Sequence, residues 1–461
     1  MNESDITKVV NGGFCIGCGA CTVLAPDITV KLNKYGEFNA DLQGVGKDAL
    51  YKASAVCPFS NTLDNESTIA DELYKQTCSG YDSRIGYFSH LYAGYSGEYR
   101  QYGSSGGIVT WLLAELLNRG LVDKVIRVGP STDGGMYFGY EVVSDAESLK
   151  SGSTSFYYPV TMQTVLAYVK ENPGRYAITA VPCFHKALRL LKKAEPSLRE
   201  RIVFQVGIVC GQMKTSFYLE YLLRRSKASG EVVSACFRRK DEGSRADNYL
   251  FEVKYKTPLS DRIQTATLAN RKIGSNWGMG LFKPKACDFC EDLFAENADI
   301  AVMDAWLDRY IQDGKGMSLI LLRDQRLNDI VSSLSEDANS YLEPVSVADV
   351  VATQQGGLNH RRKGLRYRLY LHRNTWHPRK RLNASKQQST IFKFEQRLRI
   401  LLRDLSRWAF LTQQQMGNGL FYYNVIMSLP LSLYNATTRA KRKLDRKLGI
   451  PRSDGSDDID T

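Results

Sequence analysis

The feature that most constrains this chain is a run of evenly spaced cysteines near its start, CIGCGACTVLAP. Three thiolates separated by two residues each can wrap one side of a [4Fe–4S] cubane. In two-cluster ferredoxins a further cysteine before the proline binds the other cluster, and here Ala25 stands in that place. We therefore expect one cluster, with its fourth thiolate from the distant Cys57-Pro58 pair. The predicted ligands, the first quartet, are Cys15, Cys18, Cys21 and Cys57.

A structural zinc site is the alternative interpretation of the first quartet, because zinc also accepts four cysteines. Zinc motifs usually consist of two separated C-x2-C pairs, whereas three even steps followed by a Cys-Pro pair favour iron and sulfide. Glycines between the cysteines let backbone amides approach the sulfurs, which would raise the reduction potential of a cluster.

Composition favours metal or redox use of the cysteines over disulfides. The chain has 461 residues and ten cysteines, a length that suits about two to four domains. Its first residues, MNESDITKVV, are polar and predict no secretory signal. No apolar run of about 18 residues predicts a membrane-spanning helix. We therefore expect a cytoplasmic protein, in which disulfides are rare.

Four regions of different character predict the domain organisation. Residues 1–62 are expected to form a small ferredoxin-like [4Fe–4S] domain. Residues 80–150 and 151–345 alternate strand-like runs, such as YAITAVPC, IVFQVGIVC and ADIAVMDAW, with helical patterns. This alternation predicts an α/β core on a mixed, substantially parallel sheet. Residues 346–461 are basic and lack cysteine, and they end in SDGSDDIDT, which reads as a disordered acidic tail.

Four further cysteines suggest a second site of four thiolates, the second quartet. Two of them each follow a predicted strand, and a C-x2-C pair precedes another strand. Ligands gather at the carboxyl ends of strands in open α/β sheets, so these thiols can meet at one edge. They are Cys183, Cys210, Cys287 and Cys290. Cys78 and Cys236 have no partner at ligand spacing and are interpreted as ordinary thiols.

Five stretches in the same order resemble the beta subunits of coenzyme F420 hydrogenase and dehydrogenase, a family with a related plant reductase of 7-hydroxymethyl chlorophyll. The resemblance runs from about residue 86 to about residue 304. It makes 80–150 and 151–345 the N- and C-terminal domains of that type. The matching stretches are SSGGIVTWLL (104–113), GSTSFYYP (152–159), AVPCFHKALR (180–189), VCGQ (209–212) and CDFCEDLFAENADIAVMDAW (287–306).

The resemblance implies that the second quartet holds a [4Fe–4S] cluster beside an FAD. It places the flavin near the start of a helix, where Ser104 or Ser105 is expected to cap and exposed amides favour phosphate. Two residues after the first of these cysteines, where the family usually has a glutamine, this chain has His185, either a proton donor or a hydrogen-bonded shell residue. The candidate flavin residues are Ser104, Ser105, Gly106, Gly107, Thr110, Ser153 and Tyr157, with Tyr158 as a further candidate.

These parts predict a flavin and iron–sulfur oxidoreductase, with His185 as its candidate catalytic residue. Two clusters would relay electrons between a donor and FAD, which reduces or oxidises an organic substrate. Ferredoxin, NAD(P)H and coenzyme F420 all remain open as donors. Family members encoded among surface-polysaccharide genes suggest a sugar or lipid-linked sugar. The alternatives are an electron-transfer subunit without an organic substrate and a zinc- or iron-stabilised scaffold.

The formal charge of +12 is concentrated after residue 345, in runs such as HRRKGLRYRLYLHRNTWHPRKRL (360–382). Residues 392–411 read as a basic amphipathic helix, and residues 419–434 are apolar but too short to span a membrane. Three interpretations stay open: a helical extension packed on the domain, peripheral attachment to an acidic membrane at its inner face, or an acidic partner such as ferredoxin. Nucleic acid is not expected, because no recognised nucleic-acid motif accompanies the basic residues.

Overall fold

The structure is a computed structural model that describes residues 4–61, 64–131, 135–257, 260–270, 276–417 and 419–447. An eight-stranded mixed sheet lies at its centre and confirms the predicted α/β core. Its strands in chain order are β5 (His90–Tyr95), β6 (Lys124–Pro130), β7 (Phe138–Val143), β8 (Tyr176–Ala180), β9 (Ile202–Ile208), β13 (Ile300–Asp304), β14 (Ser318–Leu322) and β15 (Tyr341–Pro344).

The strand order is β15-β5-β14-β13-β9-β8-β6-β7. Strands β6, β8, β9 and β13 are parallel neighbours, while β14 runs antiparallel to both β13 and β5. The carboxyl ends of β5, β6, β8, β9 and β13 therefore lie at one edge of the sheet. The three strand-like runs of the sequence form β8, β9 and β13, and β8 is buried along its whole length.

Both faces of this sheet are covered, which explains its continuous apolar strands. On one face, α5 (Ile108–Asn118) packs over alternate strand residues such as Val302 and Ile320. On the other face, α6 (Gln163–Glu171) and α7 (Pro182–Ala194) pack over Ile126 and Ile178. Helices α8 (Pro196–Arg201) and α9 (Ser216–Ser226) flank β9 in the sequence.

The N-terminal region is small and shares a hydrophobic core with α6 and α7. It contains one antiparallel hairpin, and a second short hairpin leads into β5. Its elements are α1 (Asp5–Asn11), α2 (Cys21–Leu24), β1 (Thr29–Leu32), β2 (Phe38–Asp41), α3 (Lys47–Val56), α4 (Glu66–Tyr74), β3 (Gly80–Asp82) and β4 (Gly86–Phe88).

A separate antiparallel sheet of three strands lies between β9 and β13 in the sequence and packs on α9 through an aromatic core. The sequence pattern did not predict this sheet. Its strands are β10 (Glu231–Arg239), β11 (Leu250–Thr257) and β12 (Ser260–Ala269). Short helical segments follow at α10 (Asn276–Met279), at the 3-10 turn Lys285–Phe289, and at α11 (Asp308–Ile311) and α12 (Asn328–Ser333).

The basic region after residue 345 is mainly helical, as the sequence suggested, and we call its described part the C-terminal extension (346–447). The amphipathic run 392–411 lies within one long helix, which packs along another. No helix in the described part of the chain is long and apolar enough to cross a bilayer. The acidic tail lies outside the described residues. The helices are α13 (Val347–Thr353), α14 (Gln355–Asn359), a π-helical turn (His360–Gly364), α15 (Leu365–Leu371), α16 (Thr390–Met416) and α17 (Phe421–Lys447).

Candidate functional site

The structure brings the first quartet together in one enclosed pocket of the N-terminal region. Its thiols line that pocket together with Phe14, Ile16 and Pro58. Cys15 and Cys18 lie in the loop after α1, Cys21 begins α2, and Cys57 follows the last residue of α3. The loop can turn this tightly because Gly17 and Gly19 adopt positive φ angles of 63° and 84°.

Backbone amides approach the sulfur of Cys15, as the sequence suggested. The N–H groups of Gly17 and Ala40 donate to Cys15 Sγ over 3.5 and 3.4 Å. Such N–H donors stabilise the negative charge on a thiolate or on a cluster sulfur. The hairpin β1–β2 supplies one of these donors, so the folded N-terminal region, and not the cysteine run alone, completes this site.

Burial governs the ionisation of the first quartet. It raises the pKa of Cys57 to about 12, and it raises the pKa of the other three thiols as well. Without metal these thiols are therefore protonated at neutral pH. Metal binding would displace the protons, which is the usual behaviour of a cysteine site.

The second quartet is also brought together, at the carboxyl edge of the sheet. Cys183 lies in the first turn of α7 after β8, and Cys210 follows β9, the neighbouring strand. Cys287 lies in the 3-10 turn and Cys290 directly after it. The pKa of Cys183 is raised by burial and then by the other three thiols. Burial raises the pKa of Cys287 to about 11 and that of Cys210 to about 12.

The buried loop that carries Cys287 and Cys290 is acidic, and cations of the C-terminal extension surround it. Asp288 accepts from Lys283 and Arg403, and Arg368 Nε donates over 2.8 Å to its main-chain oxygen. Arg381 pairs with Glu296 at 2.7 Å. In the sequence these arginines belong to the basic region after residue 345, for which three roles stayed open. The signal that could have predicted this contact is the opposite charge of the acidic cysteine loop and the basic run.

Residues next to the two quartets are in direct contact with each other. Phe14, next to Cys15, meets Phe289, which lies between Cys287 and Cys290, with ring centroids 4.9 Å apart. Lys285 Nζ donates to the Gly12 carbonyl over 2.8 Å. The charge of Cys18 also contributes to the raised pKa of Cys183. The N-terminal region is therefore docked with its thiols beside the second quartet.

Side-chain hydrogen bonds and close backbone packing hold the candidate flavin segment, residues 104–110. The expected serine cap is wrong: Gly107 occupies the N-cap of α5 with φ 76° and no side-chain cap. Ser105 Oγ instead donates to the Met317 carbonyl over 2.6 Å, because the loop folds against β14. Ser104 Oγ bonds Thr154 at 2.9 Å. A Cβ at Gly106 would lie 2.5 Å from the Gly94 oxygen, so glycine permits this close packing.

The other candidate flavin residues lie along the same edge. Thr110 is buried in the first turn of α5, and Ser153 donates to the Leu149 carbonyl. Tyr157 contacts Trp277 edge-on with ring centroids 4.6 Å apart. Trp277 lies beside Gly211, where an added Cβ would be 3.6 Å from the indole. An aromatic pair thus connects the Tyr157 segment with the residue after Cys210.

A polar cleft of about 840 Å³ opens beside the candidate flavin segment. Lys240 Nζ donates to the main-chain oxygens of Arg100 and Ser105, the latter over 2.6 Å, and so ties β10 to this segment. Three cations and three carboxylates line the cleft, so it can contact both anionic and hydrogen-bond-donating groups of a ligand. Among its lining residues are Tyr95, Arg100, Lys240, Glu242, Lys315 and Asp337.

His185 is completely buried, and both of its ring nitrogens have partners. Nε2 lies 3.2 Å from the Val206 carbonyl oxygen and Nδ1 lies 3.0 Å from the Gln205 amide. When the Gln205 amide nitrogen faces Nδ1 and donates to it, the amide oxygen accepts from Arg189. Both ends of the amide and Nδ1 then have a hydrogen-bond partner. Burial lowers the pKa of His185 to about 4. A neutral, enclosed imidazole favours the shell role, and the catalytic role stays a prediction.

The two remaining cysteines make ordinary hydrogen bonds. Cys78 Sγ donates to the Arg323 carbonyl over 3.4 Å, and Cys236 Sγ lies 3.7 Å from the Thr154 hydroxyl. Among the described residues, no three His, Cys, Asp or Glu side chains are placed to hold a single metal ion. A cubane requires a wider arrangement, because its thiolates bind four iron atoms rather than one.

The mixed sheet and the helices that cover it define an α/β protein. Two family models match the chain, both described as "Coenzyme F420 hydrogenase/dehydrogenase, beta subunit". The N-terminal model matches residues 91–167 and the C-terminal model matches residues 174–347. Together the two models span more than half of the chain. The chain therefore belongs to this family. Membership places the chain among components of oxidoreductases.

Two individual proteins are similar to the chain. The coenzyme F420-dependent sulfite reductase of Methanocaldococcus jannaschii is 22% identical over 224 residues, or 46% of this chain and 32% of the relative. The chain therefore matches about a third of that relative's length. A chain of the F420-reducing [NiFe] hydrogenase complex from Methanosarcina barkeri, solved as a xenon derivative, is 18% identical with a TM-score of 0.47. That match covers 64% of this chain and 97% of the other.

Proposed function

We propose that the chain is an oxidoreductase that holds two [4Fe–4S] clusters and an FAD. The observation that carries the proposal is the pair of cysteine quartets, all buried or partly buried, whose neighbouring residues Phe14 and Phe289 are in contact. Thiols in groups of four, with backbone N–H groups that donate to Cys15 Sγ and to Cys287 Sγ, fit a cluster in charge and chemistry. The proposal also includes the division of the chain into four parts, which are residues 1–62, 80–150, 151–345 and 346–461.

Each part of the chain has a role in this function. Clusters and flavin supply one- and two-electron chemistry, and the protein supplies position and electrostatics. The first quartet would be the entry or exit point for single electrons exchanged with a protein partner such as ferredoxin, and the Phe14–Phe289 contact joins its surroundings to those of the second quartet. Tyr157, itself a candidate flavin residue, contacts Trp277, which lies beside Gly211, the residue after Cys210. The polar cleft holds the anionic part of the FAD or of the donor.

Coenzyme F420 is the donor that we favour, because the family description and the related sulfite reductase both carry its name. The cleft suits such a ligand, since Arg100, Lys240 and Lys315 can contact anionic groups. Ferredoxin and NAD(P)H are the alternatives. The organic substrate is proposed, by the resemblance to polysaccharide-associated members, to be a sugar or a lipid-linked sugar.

The ligand assignment is tested with two cysteine variants of the anaerobically purified protein. Cys57→Ser should lose about four iron and four sulfide per chain and keep its flavin. Cys290→Ser should lose the other cluster and slow electron transfer between the first cluster and FAD. Cys236→Ser is the matched control and should keep the wild-type iron content. Unchanged iron and unchanged cluster spectra in either of the first two variants would contradict the assignment.

Electron transfer to a partner enzyme, without an organic substrate of its own, is the second candidate function. The observation that favours it is that the match spans only about a third of the sulfite reductase, so most of that relative lies outside the matched part. Substrate screening of the reduced protein separates the two functions. Reoxidation of the flavin by a sugar supports the enzyme, and reoxidation only by a protein acceptor supports the electron-transfer role. A colourless protein with bound zinc would instead support the scaffold.

Peripheral attachment to an acidic membrane is also part of the proposal. Phe421, Val425 and Leu429 recur every four residues along α17 and are 71%, 58% and 67% exposed. Basic residues follow on the same helix, including Arg439 and Lys443. Such a helix can lie in the interface of an anionic bilayer. Sedimentation with vesicles that contain phosphatidylserine should retain the wild type and lose Leu429→Ser. Equal retention on neutral vesicles would contradict this attachment.

A further inference from the structure

The side chain of Arg361 lies against the second quartet, although the residue belongs to the C-terminal extension beyond the family match. It is in the π-helical turn His360–Gly364 and is only 2% exposed. Its Nη2 donates to the main-chain oxygens of Cys210 and Gly211, the latter over 3.1 Å. These bonds fix the guanidinium to the loop that carries one of the four thiols.

The other donors of Arg361 have no acceptor from the protein. Nε and Nη1 are buried and lack a hydrogen-bond partner among the residues that the structure describes. A buried N–H group without an acceptor destabilises the folded state, and a charged one does so more strongly. A group that binds at this place and accepts hydrogen bonds would remove the penalty.

The main-chain contacts of Arg361 identify that place. Because Nη2 is fixed to the main-chain oxygens of Cys210 and Gly211, Nε and Nη1 of the same planar guanidinium lie beside the loop that carries the Cys210 thiol. A guanidinium stays charged in proteins. Arg361 therefore places a fixed positive charge, and N–H donors without a protein acceptor among the described residues, next to the second quartet.

We propose that Arg361 is a charge-compensating residue of the second cluster, to which its Nε and Nη1 donate hydrogen bonds. The inference rests on the proposed function, in which the second quartet holds a [4Fe–4S] group. A cluster with four thiolates is anionic, and its reduction adds another negative charge. A fixed cation with N–H donors at its sulfurs therefore favours the reduced form and raises the reduction potential. The C-terminal extension thus completes the redox site.

The test is a potentiometric titration of both clusters, followed by electron paramagnetic resonance, in Arg361→Gln and Arg361→Lys. The second cluster should shift to a more negative midpoint potential in Arg361→Gln, and by a smaller amount in Arg361→Lys, which keeps the charge but loses the planar fork of donors. The midpoint of the first cluster should stay unchanged. Lys363→Gln, an exposed charge in the same turn, is the control and should leave both midpoints unchanged.

A midpoint that matches the wild type in both Arg361 variants overturns the inference, as does an equal shift in Lys363→Gln. If Arg361→Gln loses its cluster on purification, Arg361→Lys decides: a negative shift supports the inference and an unchanged midpoint overturns it. The iron content of the wild type is measured first. A wild type without a second cluster contradicts the proposed function itself, and the two failures are thereby distinguished.

Discussion

The lowered pKa of Lys240 makes the charge of the polar cleft depend on pH. Burial, followed by the charges of Arg100 and Arg238, lowers its pKa from 10.5 to about 7. Below pH 7 the amine is charged in the folded and the unfolded chain alike. Between pH 7 and 10.5 only the unfolded chain binds the proton, so the free energy of unfolding should increase with pH across this window.

The same shift predicts how the cleft binds an anionic ligand. As the pH rises through about 7, Lys240 loses its charge, and a charge-assisted contact worth about 1.5 kcal/mol is lost. The affinity for FAD or coenzyme F420 should therefore fall about tenfold, measured by fluorescence titration at several pH values. Lys240→Met should bind weakly and without this pH dependence. Lys315→Met, which removes an exposed amine of the same cleft, should retain the dependence; a pH-independent wild type contradicts the prediction.

Individual residues differ in how far the sequence reveals them. The spacing of the cysteines and the Cys57-Pro58 pair predicted which thiols would gather, because ligand spacing is a local property. Arg361 was hidden among the basic residues of its region, since only the packed chain shows which arginine is buried beside sulfur. The flavin residues and the role of His185 stay predictions.

At the scale of elements, the loop from Cys287 to Glu296 is held by the helices that follow it much later in the chain. Asp288 is fully buried between Lys283, Arg368 and Arg403. Burial alone would raise its pKa, but these three cations hold the pKa well below its usual range. The basic character of the extension is therefore explained in part by the acidic loop that it covers.

Asp288→Asn removes the carboxylate that three buried cations share and leaves Lys283 and Arg368 without it, while Arg403 keeps Asp404 at 2.7 Å. We expect the free energy of unfolding to fall by about 3–5 kcal/mol, the usual effect of breaking a buried ion pair. Denaturant unfolding of wild type and variant measures the difference. Asp82→Asn, which breaks the exposed pair with Arg84 at 2.9 Å, should cost about 0–1 kcal/mol. A loss in Asp288→Asn as small as that of the control contradicts the account.

Elements with continuous apolar patterns were predictable, and those set by tertiary contacts were not. Strands β8, β9 and β13 follow from buried apolar runs of the sequence. The sheet β10–β12 was missed because β10 is half exposed and mixes polar with apolar residues. The serine cap of α5 was wrong because Ser104 and Ser105 bond to distant parts of the chain.

At the scale of the whole molecule, three parts of the chain meet at the second quartet. The N-terminal region contacts it through Phe14, the α/β core supplies the thiols, and the C-terminal extension supplies Arg361. Sequence analysis anticipated the first two parts, because cysteine spacing and strand alternation are visible along the chain. The third part depends on the packing of α13 to α16 against the cysteine loop, which no local pattern predicts.

The central claim is that each quartet holds its own iron cubane. The most direct measurement is an anomalous difference map at the iron absorption edge, from crystals grown without oxygen. The account predicts two separate peaks, each the size of about four iron atoms, one enclosed by Cys15, Cys18, Cys21 and Cys57 and the other by Cys183, Cys210, Cys287 and Cys290. A map with no iron peak at either quartet, or with a peak at the zinc edge in its place, would contradict it.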